Sequence, residues 1–118
     1  MRISRIILRV DDVSRSVEFW SEAVGLQMIR ESANFAFLDG GSVELVLNEV
    51  ESRPDDSSLT EIVIEVSDVR ESYRVLADRG VEFAVEPRAV MTDGERELWA
   101  THFRDPDGHV GSIVGWVV

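Results

Sequence analysis

The sequence predicts an α+β fold made of two βαβββ modules, each with an open mixed sheet. The main observation is an internal repeat, because residues 5–20 superpose on residues 61–76 at an offset of 56 positions. Apolar, charged and turn-forming positions recur in the same order in both copies. A polar, proline-containing stretch separates them and is typical of a linker. We therefore expect one domain with module one over 1–48, a linker over 49–58 and module two over 59–118.

Each module opens with a strand, predicted over residues 3–10 and 60–66 from runs of β-branched residues. One face of each strand is fully apolar and suits burial under a helix. The other face is mixed and carries Arg5 in the first copy and Glu61 in the second. The apolar faces consist of Ile6, Leu8 and Val10, and of Ile62, Ile64 and Val66.

A helix follows each opening strand. Asp12 and Asp68 stand at the N-cap positions, where a carboxylate accepts hydrogen bonds from free N–H groups and faces the positive end of the helix dipole. Gly25 and Gly80 end the helices, since glycine adopts the left-handed conformation at low cost. The residues expected to be buried are Val13, Val17, Trp20 and Val24 in the first helix, and Val69, Tyr73 and Leu76 in the second.

Shorter strands complete each module. In the first copy we expect a strand at residues 26–31 and then a hairpin that turns at Asp39–Gly41. In the second copy we expect a strand at residues 81–86, a further strand, a tight turn at Asp105–Gly108 and a last strand. One helix covers only one face of each sheet. Two open faces, within one chain or across a dimer, would enclose a cleft.

Composition restricts the classes of function. The chain has 118 residues, a net charge of −11 and no cysteine. Disulfides, thiolate metal sites and a cysteine nucleophile are therefore excluded, and the charge argues against nucleic acid as a partner. The acidity suits either solubility or a preference for cationic ligands. No apolar run reaches the ~20 residues that span a membrane, and no signal peptide is recognisable, so we expect a cytoplasmic protein without a membrane partner.

Two segments resemble the opening and closing signatures of a known family. They are ISRIILRVDDVSRSVEFWSEAVGL at residues 3–26 and FRDPDGHVGSIVGW at residues 103–116. Both are similar to those of the vicinal oxygen chelate superfamily, which includes glyoxalases, extradiol dioxygenases, epimerases, fosfomycin-resistance transferases and bleomycin-binding proteins. The resemblance spans nearly the whole chain and implies a glyoxalase/bleomycin-resistance-like fold. It says less about activity.

The resemblance also implies four positions for metal ligands. Metal-dependent members place histidines on the opening strands and glutamates on the last strands, and the matching residues here are Arg5, Glu61, Glu44 and Ser112. Only Glu44 keeps the usual identity. Arg5 has no lone pair to offer a metal, and Ser112 is a poor ligand. We therefore expect no metal ion and no other cofactor.

Charge suggests what replaces the metal. Arg5 close to Glu44 and Glu61 would form a hydrogen-bonded ionic cluster. Such a cluster is either a polar anchor for a ligand or a structural salt-bridge cluster, because buried charges need partners whatever the function.

Histidines and aromatic residues supply further candidates. His109 is expected at the surface, and His102 could face either side of its strand. Trp99 is the preferred ligand contact, because it follows a polar stretch at residues 91–98 that could act as a lid. The aromatic residues on strands expected to line the cleft are Phe35, Phe37, Trp99, Phe103 and Trp116.

These observations favour a metal-independent, homodimeric small-molecule-binding protein that sequesters a cationic or aromatic compound, as antibiotic-resistance members of the superfamily do. The alternative is a metal-dependent glyoxalase, dioxygenase or isomerase with an altered metal site. A metal-free enzyme with a carboxylate base is a third reading. No catalytic residue is assigned; the candidate ligand-binding residues are Arg5, Glu44, Glu61, Trp99 and Ser112.

Overall fold

A computed structural model describes residues 2–51 and 60–118. The chain divides into two compact units, Met1–Asp55 and Asp56–Val118. Each unit has a four-stranded mixed sheet, so the predicted α+β class and the order of elements in both modules are confirmed. The linker predicted over 49–58 lies largely outside the described residues. No helix in the described ranges is long and apolar enough to cross a membrane.

The first unit follows the βαβββ order. Its strands are β1 (Arg5–Val10), β2 (Met28–Ser32), β3 (Phe35–Asp39) and β4 (Glu44–Glu49), and its helix α1 (Val13–Val17) continues as a π-helical segment (Glu18–Val24). The strand order across the sheet is β1-β4-β3-β2. β1 runs parallel to β4, and the other neighbouring strands are antiparallel.

Alternation along the strands separates the two faces of this sheet. The helix-facing side carries a closely packed core of Leu8, Val10, Ala36, Leu38, Leu45 and Leu47, together with Trp20. Arg5 lies opposite Glu44, and Phe37 lies opposite Val46, on the other side. Arg5, Arg9 and Glu44 therefore lie on the face that the helix does not cover, whereas Glu49 lies on the helix-facing side and accepts a hydrogen bond from the Val13 amide.

The first helix differs in detail from the expectation. Asp12 is the N-cap and accepts a hydrogen bond from the Arg15 amide, and Gly25 ends the helical stretch with a positive φ of 105°. However, the fully buried residues are Ser16 and Trp20, whereas the predicted valines are only half-buried. Ser16 and Trp20 are four residues apart and share one side of the helix. The helix is therefore rotated slightly from the predicted orientation, so that Ser16, and not its neighbour Val17, faces the core.

The second unit repeats this order. Its strands are β5 (Glu61–Glu65), β6 (Arg88–Asp93), β7 (Arg96–Arg104) and β8 (Val110–Val117), and its helix is α2 (Val69–Asp78). The strand order is β5-β8-β7-β6, with β5 parallel to β8 and the other pairs antiparallel. Asp68 caps α2 by accepting from the Glu71 amide, as expected.

A glycine allows an aromatic ring to fill the core of the second unit. Phe103 and Gly111 are opposite each other in the register of β7 and β8. A Cβ atom on Gly111 would lie 2.3 Å from the ring of Phe103, so this position has room only for hydrogen. Phe103 also packs edge-on against Phe83, which contacts Tyr73 of α2.

Two expectations for the second unit are wrong. Residues 81–86 form only an isolated bridge at Phe83, because the chain here ends the helix, with the Val81 amide donating to the Leu76 carbonyl. The strand is instead β6, further along the chain. The stretch 91–98 is not a loop: it is the tight hairpin that joins β6 to β7, turning at Gly94 with a positive φ of 62°. A lid is therefore not available there.

Candidate functional site

The open face of the first sheet carries a group of charged residues that we call the arginine–glutamate cluster: Arg5, Glu44 and Arg30. Arg5 Nε donates to Glu44 Oε1 at 2.9 Å, and Arg30 Nη1 lies 3.4 Å from Glu44 Oε2. About half of each arginine side chain is exposed, at 50% and 49%. One carboxylate thus holds two guanidinium groups whose outer edges remain accessible, and the cluster carries net positive charge.

Glu44 is ionised in this setting. Desolvation would raise the pKa of the Glu44 carboxyl, but the hydrogen bond from Arg5 and the charge and hydrogen bond of Arg30 outweigh it. The pKa therefore lies below its ordinary value, because both arginines stabilise the charged form.

Aromatic rings lie beside the cluster on the same face. The guanidinium of Arg30 is 4.0 Å from the centroid of the Phe37 ring, and Phe37 stacks on Phe35. A polar cleft of about 300 Å³ is lined by Arg5 and Glu44 themselves, together with Arg2 and Asp39. The face thus combines accessible donors with a flat apolar surface.

The open face of the second sheet carries a hydrogen-bonded chain that we call the polar row: Glu61, Ser112, His102 and Arg88. Each residue comes from a different strand, in the order of the sheet, β5, β8, β7 and β6. Ser112 Oγ donates to Glu61 Oε2 at 2.5 Å and lies 2.7 Å from His102 Nδ1. Arg88 Nη1 lies 3.0 Å from His102 Nε2 and donates to the Ala100 carbonyl at 2.9 Å.

The direction of each bond in the polar row follows by elimination. Arginine can only donate, so His102 Nε2 accepts from Arg88. The neutral imidazole then has its proton on Nδ1 and donates to Ser112 Oγ. A carboxylate can only accept, so the hydroxyl proton of Ser112 points to Glu61. Every bond is satisfied in one direction, from the guanidinium to the carboxylate.

The predicted residues are therefore divided between two groups. Arg5 and Glu44 pair as expected, with Arg30 as an additional partner. Glu61 belongs to the second unit, where its hydrogen-bond partner is Ser112, and His102 Nδ1 lies 4.0 Å from its carboxylate. Glu61 is thus an acidic partner of His102, reached through the Ser112 hydroxyl.

Trp99 does not lie on the open face, so its expected place is wrong. It is opposite Gly115 in the sheet, and a Cβ atom on Gly115 would meet Val69 of α2 at 2.8 Å, which identifies the helix-facing side. The guanidinium of Arg70 on α2 covers the Trp99 ring at 4.6 Å. Phe103, also expected to line a cleft, lies on the same helix-facing side. Phe35, Phe37 and Trp116 remain on open faces.

His109 is buried rather than at the surface. It is 4% exposed, and its Nδ1 atom lies 2.8 Å from Asp105 Oδ2. The other oxygen of Asp105 accepts from the amides of Asp107 and His109, which fixes the turn before β8. The expectation failed because Asp105 gives this imidazole a partner inside the protein, so that burial leaves it hydrogen-bonded.

The residues at the family's metal positions do not fit a metal ion. Arg5 brings a positive charge that would repel a cation, and its guanidinium donates a hydrogen bond to Glu44. The Ser112 hydroxyl donates a hydrogen bond to Glu61. Across residues 2–51 and 60–118, no three histidine, aspartate or glutamate side chains are grouped so that they could hold a metal ion. The ligand set that the resemblance implies is thus replaced by internal hydrogen bonds.

Comparison with known proteins identifies the family. The model of the Glyoxalase/Bleomycin resistance protein/Dioxygenase superfamily matches residues 2–111. The chain belongs to this superfamily, and the resemblance noted in the sequence is confirmed.

Relatives and solved structures agree. The chain is 31% identical to metallothiol transferase FosB of Staphylococcus saprophyticus, over 91% of this chain and 72% of the relative. It is 28% identical to glutathione transferase FosA of Serratia marcescens, over 94% and 82%. A glyoxalase/bleomycin resistance protein/dioxygenase from Nocardioides superposes with a TM-score of 0.81 at 22% identity, over 99% and 84% of the chains. Virulence protein STM3117 of Salmonella typhimurium superposes with a TM-score of 0.78 at 22% identity, over 99% of this chain and 98% of that chain. These two structures establish the likeness of fold alone.

The sequence did not predict Arg30 or Arg88 as residues of the site, and it did not assign a role to His102. Arg30 and Arg88 come from β2 and β6, whose register contains an irregularity. Because of this irregularity, the residues opposite Arg30 and Arg88 on the neighbouring strands cannot be predicted by counting along the sequence. His102 was detectable only in part, because alternation from Phe103 places it on the face opposite that ring.

Proposed function

We propose that this protein binds a small organic molecule without a metal ion, using the open faces of its sheets. The observation that carries the proposal is that the residues at the family's metal positions hydrogen-bond to one another. Arg5 and Glu44 bond to each other, as do Glu61 and Ser112. These side chains therefore satisfy one another internally, while outer atoms of Arg5, Glu44 and Glu61 remain accessible to a ligand.

An aromatic ligand suits the first sheet best. Phe35 and Phe37 present stacked rings, and Phe35 is 37% exposed. The arginine–glutamate cluster beside them has two positive charges and one negative charge, which favours an oxygen-rich or anionic substituent there. The cationic group expected from the overall acidity suits the second sheet better, where half of the Glu61 side chain is exposed.

A second candidate is a metal-free enzyme that uses acid–base chemistry. The contact of His102, Ser112 and Glu61 favours it, because a histidine and a carboxylate joined through a hydroxyl can move a proton. The relatives' names describe a metallothiol transferase and a glutathione transferase. A metal-dependent transfer of that kind, like the metal-dependent glyoxalase or dioxygenase alternative, needs ligands that Arg5 and Ser112 do not provide.

A thermal-shift screen of aromatic compounds, performed with and without a chelator such as EDTA, tests the binding proposal. A specific ligand binds only the native state and raises the melting temperature, and above its Kd the rise grows with the logarithm of ligand concentration. We expect the same shift with and without chelator. Shifts that disappear with EDTA and return with a divalent ion, or turnover that requires such an ion, would contradict the proposal.

Three further features of the predicted function remain proposals. They are a homodimeric state, a cytoplasmic location and a role in antibiotic resistance through sequestration. Light scattering after gel filtration tests the first. Growth of bacteria that express the protein, compared with cells that express Glu44→Gln, tests the third against a panel of aromatic antibiotics.

A further inference from the structure

The polar row is buried at Ser112, partly exposed at His102 and exposed at both ends. Ser112 is 1% exposed, whereas half of the Glu61 side chain is exposed. Arg88, at the other end, is also exposed. Between the ends lie the buried Ser112 hydroxyl and the His102 imidazole, whose side chain is 31% exposed, and the two charges lie at the ends. This arrangement places a cation and an anion on one face with a preorganised, uncharged connection between them.

Each end keeps unused hydrogen-bonding capacity. Among the described residues, Glu61 Oε1 accepts no hydrogen bond, because both of its contacts involve Oε2. The Nε and Nη2 atoms of Arg88 likewise have no acceptor within the described part of the chain, because Nη1 makes both contacts. An arginine edge of two N–H groups matches a carboxylate, and a carboxylate oxygen matches an ammonium or hydroxyl group.

We propose that the polar row binds an amphoteric molecule, with an ammonium or hydroxyl group at Glu61 and a carboxylate at Arg88. This rests on the proposed function and specifies the ligand of the second sheet. Arg88 reaches across to β7, and Glu61 reaches across to β8. The charged ends are consequently no more than two strand spacings apart, roughly 10 Å. A ligand with its two polar groups at opposite ends of one aromatic ring has a suitable length.

Ser112 and His102 are positioning residues in this proposal. The hydroxyl proton of Ser112 fixes Oε2 of Glu61, so Oε1 remains directed to the ligand. His102 holds that hydroxyl in place, and Arg88 fixes the tautomer of His102 with the proton on Nδ1. The ligand contacts the two ends, and the centre keeps them in register.

Three matched probes test the proposal by calorimetry with the full chain in the presence of EDTA. They are 4-(aminomethyl)benzoate, benzylamine, which lacks the carboxylate, and 4-methylbenzoate, which lacks the amine. We expect the complete probe to bind roughly tenfold or more tighter than either partial probe, as the loss of one charge-assisted hydrogen bond requires. Equal affinities, or no binding of the complete probe at millimolar concentration, would overturn the proposal.

Variants assign the ends. Glu61→Gln should remove the advantage that the amine gives, and Arg88→Gln the advantage that the carboxylate gives. The matched controls, Glu65→Gln on the same strand face and Arg74→Gln on α2, should change neither. Ser112→Ala should weaken benzylamine more than 4-methylbenzoate, a split that a merely structural role would not produce. If a variant does not fold, the wild-type comparison of the three probes decides by itself.

The histidine provides an independent readout. Long-range ¹⁵N–¹H spectra of the wild-type protein should show His102 protonated on Nδ1 and not on Nε2. The opposite tautomer would contradict the direction of the row. If aromatic compounds bind without metal but the complete probe has no advantage, this inference fails and the proposed function stands. If nothing binds in EDTA, both fail.

Discussion

The two copies of the repeat share a core but carry different chemistry on their open faces. In the first copy Arg5 lies opposite Glu44, and the two charges meet directly. In the second copy Glu61 lies opposite Val110, and its partner is Ser112, two residues further along β8. In the arginine–glutamate cluster the half-exposed arginines contact Glu44 directly, whereas the polar row joins its charges through the buried Ser112 and the partly exposed His102. The same arrangement of strands thus carries a charged surface patch in one unit and a directed chain of hydrogen bonds in the other.

The helix-facing sides differ too, and there a substitution should have its largest effect. Leu45 is opposite Ile6 in the first sheet, and Gly111 is opposite Ile62 in the second. Gly111→Ala should destabilise the protein by about 1–3 kcal/mol, because the new methyl group meets the Phe103 ring. Urea unfolding measures this. Val63→Ala, at a position 57% exposed, is the control and should stay within about 0.5 kcal/mol. A Gly111→Ala variant as stable as the wild type would mean that Phe103 does not fill this space.

A substitution on the open face can make the second copy resemble the first. Val46 in β4 lies opposite Phe37 as Ser112 in β8 lies opposite His102. Ser112→Val should cost about 1 kcal/mol, because Glu61 and His102 both lose a hydrogen-bond partner. Urea unfolding again gives the free energy. In ¹⁵N spectra the Nδ1 tautomer of His102 should remain, because Arg88 still donates to Nε2, but the Nδ1–H proton should lose the chemical shift of a hydrogen-bonded group. Unchanged stability with an unchanged Nδ1–H shift would show that Ser112 does not join His102 to Glu61.

The smallest effect is expected at the arginine–glutamate cluster, where it depends on pH. Arg5→Gln should raise the pKa of Glu44, because the hydrogen bond and charge of Arg5 are lost. In the wild type, a folded-state pKa below the unfolded value stabilises the protein above the unfolded pKa, and this stabilisation disappears as pH falls through the folded pKa. In Arg5→Gln, the remaining stabilisation by the Glu44 carboxylate should disappear at a higher pH than in the wild type. A ¹³C titration of the Glu44 carboxyl measures the change, with Arg9→Gln on the same strand as control; an unmoved pKa would contradict the pairing.

Local signals predicted most of the fold. The offset between the copies gave both modules, and the caps at Asp12 and Asp68 and the turn before β8 were all placed correctly. Each of these depends on a few neighbouring residues, so the sequence contains the information. The strand expected at residues 81–86 was wrong because ending the helix takes up those residues, and no local pattern shows that requirement.

The site was predictable only in part, because it depends on which strands are neighbours. Arg5 and Glu44 were found through the family's positions, and their contact followed from opposite charge. The place of Trp99 needed the register of β7, although alternation with Phe103 in the same strand already indicated the helix-facing side. Arg88 and His102 meet across two strands with an irregular register, which the sequence does not reveal.

The central claim is that internal hydrogen bonds have replaced the metal at the family's metal positions. Calorimetric titration of Mn²⁺, Ni²⁺ and Zn²⁺ into chelator-treated protein at neutral pH tests it most directly. The account predicts no stoichiometric binding of any of the three ions, because Arg5 occupies Glu44 and Ser112 cannot act as a ligand in place of a carboxylate. Saturable binding of about one ion per chain, abolished by Glu44→Gln, would contradict it.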